Sequence, residues 1–290
     1  MSMLDEFYWY LKLGKPKRKL TAYEMREELN AYIKEPVFFL STGRCGTKWF
    51  SDLLSKDKGL AVFHAPVPNL SVPGKTAWAI SKSNNFDIPE QERLLLEEIF
   101  LTGREQHLRY TAKGRKRYIE TNNYITFFAP VLAKIFPDAK FVHIVRDPIA
   151  FIRSGMDRSY YTPGNPDDRK RIIPGNINEV KDWDAFSGYA KIAWLWKETN
   201  EFIESFAKSI PKENFQFFRF DLSNSEGVLE VMDFIGTTIT SKQVKAALNT
   251  KKNAQKLRTC PPFRDWKPEY QEDVKQVIDQ LSAKYSFPLQ

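Results

Sequence analysis

The sequence of 290 residues holds only two cysteines, Cys45 and Cys260, and three histidines, His64, His107 and His143. Two cysteines cannot build a disulfide framework, and no Cys/His cluster has zinc spacing, so no metal is expected. Long apolar runs are lacking as well: no stretch reaches the ~18 consecutive apolar residues a membrane-spanning helix requires. Met1 to Leu13 carries Asp5, Glu6 and aromatics where a secretory signal needs a basic start and an apolar core. The expectation is a cytoplasmic protein with no integral membrane segment. Repeats at a period of about 20 to 50 residues and low-complexity linkers are also missing, which excludes solenoids and leaves one domain as the default. What the chain does have is positive charge, 44 Lys+Arg against 36 Asp+Glu for a net +8, with a hydrophobic share of 42% that argues for a packed core rather than disorder. Such a surplus suits nucleic acid, anionic lipid or an anionic small molecule, and its placement along the chain decides which.

Residues 1–35 read as an N-terminal extension, with an amphipathic segment at Phe7 to Leu13 and a basic run at Lys15 to Lys19. From residue 36 to residue 290 short apolar runs alternate with stretches at helical spacing, the pattern of parallel strands joined by crossover helices. Strands are predicted at Val37 to Leu40, Leu60 to Phe63, Tyr118 to Thr121, Lys140 to Val145 and Phe215 to Phe220. Helices are predicted after Trp49, from Phe127 to Phe136 with Pro130 kinking or starting it, and from Pro148 to Arg158 with Asp147 as N-cap. Further helices are expected around Trp183 to Lys208, from Glu226 to Ile235 and from Pro268 to Lys284. The fold class is α/β, a three-layer fold with a central parallel sheet.

The first strand runs into Ser41-Thr42-Gly43-Arg44-Cys45-Gly46-Thr47-Lys48-Trp49 and then into a helix. Ligands of open α/β sheets bind beyond the carboxyl ends of strands, where a helix N-terminus offers amide N–H groups to an anion. Two glycines let the backbone wrap closely, and Arg44, Thr42 and Thr47 add donors. A Walker A loop is excluded, because only Arg44 and Cys45 separate the glycines and Thr47 follows the second. This run resembles the 5′-phosphosulfate loop of sulfotransferases that use 3′-phosphoadenosine 5′-phosphosulfate (PAPS). Phe141-Val142-His143-Ile144-Val145-Arg146-Asp147-Pro148, with Ser154 eight residues beyond Arg146, resembles the 3′-phosphate motif of the same family. Phe215 to Leu222 is similar to the family's late strand, and Lys256-Leu257-Arg258-Thr259-Cys260-Pro261 to its C-terminal basic loop.

The resemblance implies a P-loop NTPase-like sulfotransferase with PAPS as co-substrate and no metal. It places Arg44 against the 5′-phosphosulfate as a catalytic residue and gives Thr42, Gly43, Cys45, Gly46, Thr47 and Lys48 to the same anion. Trp49 is then an adenine-stacking residue or, equally, a core residue on its helical stripe. Arg146 and Ser154 are assigned to the 3′-phosphate, with Lys256 and Arg258 closing over the nucleotide. Arg153 points about 100° away on an ideal helix and is left out.

Sulfuryl transfer needs a base for the acceptor proton. His64, just after the second strand, is the first candidate and Glu120, at the end of the third, is its rival; His143 reads as packed in its strand and His107 as a surface residue. Tyr124, Phe127, Tyr160, Tyr161 and Trp194 are available to an acceptor pocket, with nothing to separate a sugar hydroxyl from a phenol, an alcohol or an amine on a small molecule or glycan. Two other readings stand beside this one. A nucleotide kinase with an atypical P-loop lacks the Walker lysine, and a basic nucleic-acid-binding module would use Lys15 to Lys19 and Lys113 to Arg117; no nucleic acid is expected as partner.

Overall fold

The structure is a computed structural model that describes residues 26, 27, 29, 31–175, 183–221, 224–249, 259–287 and 289. Phe7 to Leu13, Lys15 to Lys19, Leu222, Lys256 and Arg258 lie outside the described residues. Five strands, β1 (Val37–Leu40), β2 (Leu60–Phe63), β3 (Arg117–Glu120), β4 (Lys140–Val145) and β5 (Phe215–Arg219), pair in parallel in the order β2-β3-β1-β4-β5. In register, Phe38 lies between Glu120 and Phe141, and Leu40 beside His143.

Alternation along β1 explains why its four residues are all apolar. Phe38 and Leu40 enter one core with Tyr118 and Phe141, which is closed by helices α3 (Glu90–Lys113) and α4 (Ala129–Ile135). Val37 and Phe39 enter the opposite core with Phe50 and Leu53 of helix α1 (Thr47–Leu54) and Val228 and Val231 of α7 (Ser225–Ile235). A strand buried on both faces favours an apolar side chain at each position, the mark of a parallel sheet between helical layers. A third cluster joins the end of β4 to α5 (Pro148–Met156), α6 (Gly188–Ala207) and the terminal α9 (Pro268–Lys284). The three-layer α/β architecture is therefore as the sequence indicates.

Local signals fix several boundaries. Asp147 caps α5 by accepting from the Ala150 amide at 2.6 Å, with Pro148 in the first turn. Pro130 starts α4 behind a 3₁₀ turn at Asn123–Phe128 rather than kinking a longer helix, since an N-terminal position needs no amide donor. The helix expected from Trp183 begins only at Gly188, where Ser187 caps it, and Trp183–Ala185 is a separate 3₁₀ turn. Helices α2 (Ser71–Ser83), α3 and α8 (Ser241–Leu248) are additions to the sequence reading. Before β1, Leu29 and Ile33 are buried in the first core and Arg26 pairs with Glu97 at 3.1 Å, so the end of the N-terminal segment packs on the body.

His143 behaves as expected: it is 1% exposed and its Nε2 donates to Asn200 Oδ1 at 2.9 Å. His107 does not. It sits half-buried with its ring edge-on to Phe63, centroids 4.7 Å apart, and its Nδ1 has no partner. Of its charged neighbours in sequence, Glu105 and Arg109 are partly exposed, while Arg104 is buried with His107 on the inner face of α3. Burial pushes both imidazoles down to about 4. The unfolded chain then takes up protons between pH ~6.5 and ~4 that the folded chain refuses, so stability present above pH 6.5 is lost as pH falls through that window, by up to about 3 kcal/mol per histidine. Urea denaturation of a His107→Leu variant is expected to show a flatter acid slope than the wild type; an identical slope would show that His107 protonates freely in the fold.

Candidate active site

Chain connections leave the β1 end toward β2 and the β4 end toward β5, so a crevice opens between them at the carboxyl edge of the sheet. Residues 41–46 fill its floor. Gly43, Arg44 and Gly46 have φ of 79°, 58° and 81°, a left-handed curl that glycine accepts readily and arginine at a cost of about 1 kcal/mol. Glycine at position 46 is required twice over, because a Cβ there would lie 2.0 Å from the Phe220 ring. The curl is held from behind: Thr126 Oγ1 accepts from the Ser41 amide and donates to the Ser41 carbonyl, both at 3.0 Å, and Ser41 Oγ accepts from the Gly43 amide at 3.1 Å. Among the described residues no carbonyl takes up the amides of Arg44, Cys45, Gly46 or Thr47, which stand at the start of α1. Cys45 itself is fully buried, with its thiol pushed up by burial, so it contributes its backbone rather than its sulfur.

Arg146, at the end of β4, reaches across the crevice and donates from Nη1 to the Arg44 carbonyl at 2.6 Å. Its own carbonyl accepts from the Trp196 indole at 2.9 Å, which fixes the backbone of that corner to α6. Ser154 is 6% exposed on α5, and Arg158 Nη1 donates to its Oγ at 2.9 Å and to its carbonyl at 2.7 Å. Burial and the neighbouring Arg44 charge hold the Arg158 guanidinium below its usual range. Arg146 is thus fixed to the loop backbone and Arg158 lies within range of the Arg44 charge, an accumulation of positive charge beside open amides that an anion would relieve. Asp157 adds a tether: its Oδ1 accepts from the Thr259 amide at 3.0 Å, the Thr259 hydroxyl at 2.8 Å and the Cys260 amide at 2.9 Å. The residues that follow Arg258 are thereby pinned to the end of α5.

A family profile described as the sulfotransferase family matches residues 36–183. The chain belongs to the sulfotransferase family. Its fold matches the sulfotransferase domain of the Synechococcus PCC 7002 olefin synthase with a TM-score of 0.51 at 15% identity, covering 96% of this chain and 99% of that one. The sulfotransferase domain from the curacin biosynthetic pathway aligns at 12% identity with a TM-score of 0.49 over 89% of this chain and 99% of that chain. The sulfotransferase from Alicyclobacillus acidocaldarius aligns at 12% identity and 0.48, over 89% and 98%. A search of the curated proteins finds no match.

Within this sulfotransferase the residues singled out in sequence separate into two sets. Thr42, Gly43, Arg44, Cys45, Gly46, Thr47, Arg146 and Ser154 gather at the crevice. Lys48 points outward and pairs with Asp52, one turn along α1. Trp49 is 8% exposed, packed edge-on to Phe50 with its indole N–H donating to Ala247 of α8 at 3.2 Å, which favours the core reading. Arg153 turns away to the Cys260 carbonyl at 3.0 Å, as its helical angle requires. Arg158 was missed. Its signal was present in the i, i+4 spacing from Ser154, which stacks two side chains on one helix face.

Of the two base candidates, Glu120 is wholly enclosed. It accepts from Arg104 Nη2 at 2.8 Å, Tyr118 Oη at 2.7 Å and Asn122 Nδ2 at 3.0 Å, with no exposed surface on either member of the Glu120–Arg104 pair. Burial alone would raise its carboxyl, but Arg104 holds it below the usual range. His64 is half-buried, and its Nδ1 lies 2.9 Å from the Thr121 carbonyl. A carbonyl only accepts, so Nδ1 carries the proton and Nε2 keeps its lone pair. Burial, aided by Lys48, lowers the imidazole below its usual value, so it is neutral and basic at neutral pH.

Beside the loop, Ser41 and Thr42 open onto a recess of about 70 Å³ walled by Tyr124, Phe127 and Tyr160. Tyr161 is not in that wall, since it is turned to the Ile172 carbonyl at 2.7 Å, and Trp194 packs against Trp78 and Trp183. Gly74 sets the wall in place: a Cβ there would lie 2.6 Å from the Tyr124 carbonyl, so only glycine lets α2 lie against the 3₁₀ turn. Among the described residues, no group of three His, Cys, Asp or Glu is placed to hold a metal, and no helix is long and apolar enough to cross a membrane.

Proposed function

We propose that the protein transfers a sulfuryl group from PAPS to a hydroxyl or amine of a small-molecule or glycan acceptor, as a cytoplasmic enzyme whose catalytic domain is residues 36–290 behind the extension 1–35. The observation that carries this reading is the Arg146 guanidinium bridging the two motifs at 2.6 Å beside loop amides that no carbonyl takes up among the described residues, with Arg158 within range of the Arg44 charge. PAPS supplies an activated sulfuryl group on a phosphate leaving group, together with a second phosphate remote from it. The residues present fit such a doubly anionic ligand. The amides of Arg44 to Thr47, the Arg44 fork and the Thr47 hydroxyl form the 5′ side, where fixed donors stabilise charge that develops during transfer. Arg146, Ser154 and Arg158 form the 3′ side, with Lys256 and Arg258 completing it. Lys48 sits one step along α1 and adds positive potential to the 5′ side.

His64 takes the acceptor proton on Nε2, with Thr121 fixing the tautomer. Because kcat/KM reports the free enzyme, its acid limb is expected below pH ~6.5, and Lys48→Met, which removes a neighbouring cation, is expected to move the limb upward. A limb unmoved by Lys48→Met, or absent in the wild type, assigns the proton to another acceptor. The reading as a whole is tested by thermal shift with 3′-phosphoadenosine 5′-phosphate, ATP and ATP plus Mg²⁺. Stabilisation by the bisphosphate without magnesium is expected. Stabilisation by the magnesium nucleotide alone would favour a kinase instead.

A further inference from the structure

The recess beside the loop has two features that its walls do not explain. Lys75, on α2, is half-buried and lines the recess, yet it makes no ion pair or hydrogen bond among the described residues. Every other charge on the rim is matched: Lys170 pairs with Asp167 at 2.7 Å, and Arg171 pairs with Asp168 while lying 3.6 Å over the Tyr160 ring. The recess therefore carries one uncompensated positive charge. Thr199 of α6 lines the same recess from the opposite side; it is 2% exposed and its Oγ1 is buried without a partner. A helical threonine ordinarily bonds back to the preceding turn, and an orphaned hydroxyl is costly to keep, so its retention facing a recess calls for a partner that the protein does not supply.

A lone ammonium and a lone hydroxyl donor, set among aromatic rings beside Ser41 and Thr42, are complementary to one oxyanion. A neutral acceptor filling this space would strip water from Lys75 and return nothing, which penalises neutral molecules as well as favouring charged ones. We propose that the acceptor is itself a monoanion, a carboxylate or a sulfate ester bearing the hydroxyl or amine to be sulfated, and that Lys75 and Thr199 hold its charged group while Thr42 faces the reacting end. This inference rests on the recess being the acceptor site of the sulfotransferase reading. It narrows the substrate class to acidic sugars, hydroxy acids and molecules already sulfated once.

Calorimetry with five matched probes tests it in the presence and absence of 3′-phosphoadenosine 5′-phosphate: methyl β-glucuronide and methyl β-glucoside 6-sulfate against methyl β-glucoside, and 4-hydroxybenzoate against its methyl ester. At least one charged probe is expected to bind about tenfold or more tightly than its neutral counterpart, and which one names the source of the charge. Lys75→Met is expected to bring that ratio within about twofold of unity, Lys75→Arg to preserve it, and Thr199→Val to weaken the charged probe about threefold without lowering the thermal midpoint. Equal binding of charged and neutral probes, no charged probe binding below about 10 mM, or a ratio unchanged in Lys75→Met overturns the inference. Tight bisphosphate binding without charge preference sinks this inference alone, whereas charge preference without bisphosphate binding sinks the donor assignment alone.

Discussion

Arg44→Ala is expected to lower turnover at saturating donor by about 100- to 1000-fold, the scale for removing one preorganised donor from a developing anion. The expectation follows from where the chain places this arginine. It is held at φ 58°, outside the range most side chains adopt, in the middle of the loop whose amides are open, and its carbonyl is clamped by Arg146 at 2.6 Å. The clamp acts through the backbone, so truncating the side chain leaves the loop conformation in place and isolates the guanidinium's contribution. Alanine at a positive φ costs little more than arginine does, so the fold should survive and the thermal midpoint should move by only a few degrees. Steady-state rates within a factor of about three of wild type would remove Arg44 from the chemistry.

Glu120→Gln is expected to destabilise the fold by about 3 to 5 kcal/mol, because it leaves the Arg104 guanidinium buried without its counterion. Arg104 spans the gap from α3 to the sheet, giving Nε and Nη2 to Glu120 and Nη1 to the Pro68 carbonyl at 2.5 Å. Every acceptor position of the carboxylate is used, so a neutral amide loses the charge and turns N–H donors toward other donors. Replacing both partners together, Arg104→Met with Glu120→Leu, is expected to recover part of the loss, since the buried unpaired charge disappears while Tyr118 and Asn122 still lose their acceptor. Urea midpoints for the single and double variants check this. A Glu120→Gln protein of wild-type stability but without activity would return Glu120 to the role of base. The adjacent Thr121 carbonyl accepts from His64, so the ion pair holds the β3 end from which His64 is positioned.

The strands were legible because burial on both faces favours short apolar runs: Val37 to Leu40, and Lys140 to Val145 with its one buried histidine, read as they fold. Asp147 and Pro148 gave the start of α5 for a similarly local reason. Helix α3 was not legible, since its inner face buries Arg104 and Glu97 among the apolar residues and so carries no clean stripe. Helix α2 contains Pro73 and Gly74, which in sequence mark a turn, whereas here the proline lies in the first helical turn and the glycine accommodates the Tyr124 carbonyl. In the site, the loop and Arg146 were readable as motifs. Arg158 was readable from its i, i+4 spacing to Ser154, whereas the enclosure of Glu120 by Arg104 and the isolation of Lys75 and Thr199 depend on side chains far apart in the chain, and no local spacing encodes them.

The crevice is expected to hold a nucleotide with anionic groups at both its 5′ and 3′ ends. Calorimetric titration without magnesium, comparing 3′-phosphoadenosine 5′-phosphate with adenosine 5′-phosphate, tests it most directly. Charge-assisted contacts of about 1.5 to 3 kcal/mol from each of Arg146 and Ser154 predict at least about 100-fold tighter binding of the bisphosphate, a gap that Arg146→Ala should narrow by about tenfold or more. Equal affinities for the two nucleotides in the wild-type protein would contradict the account.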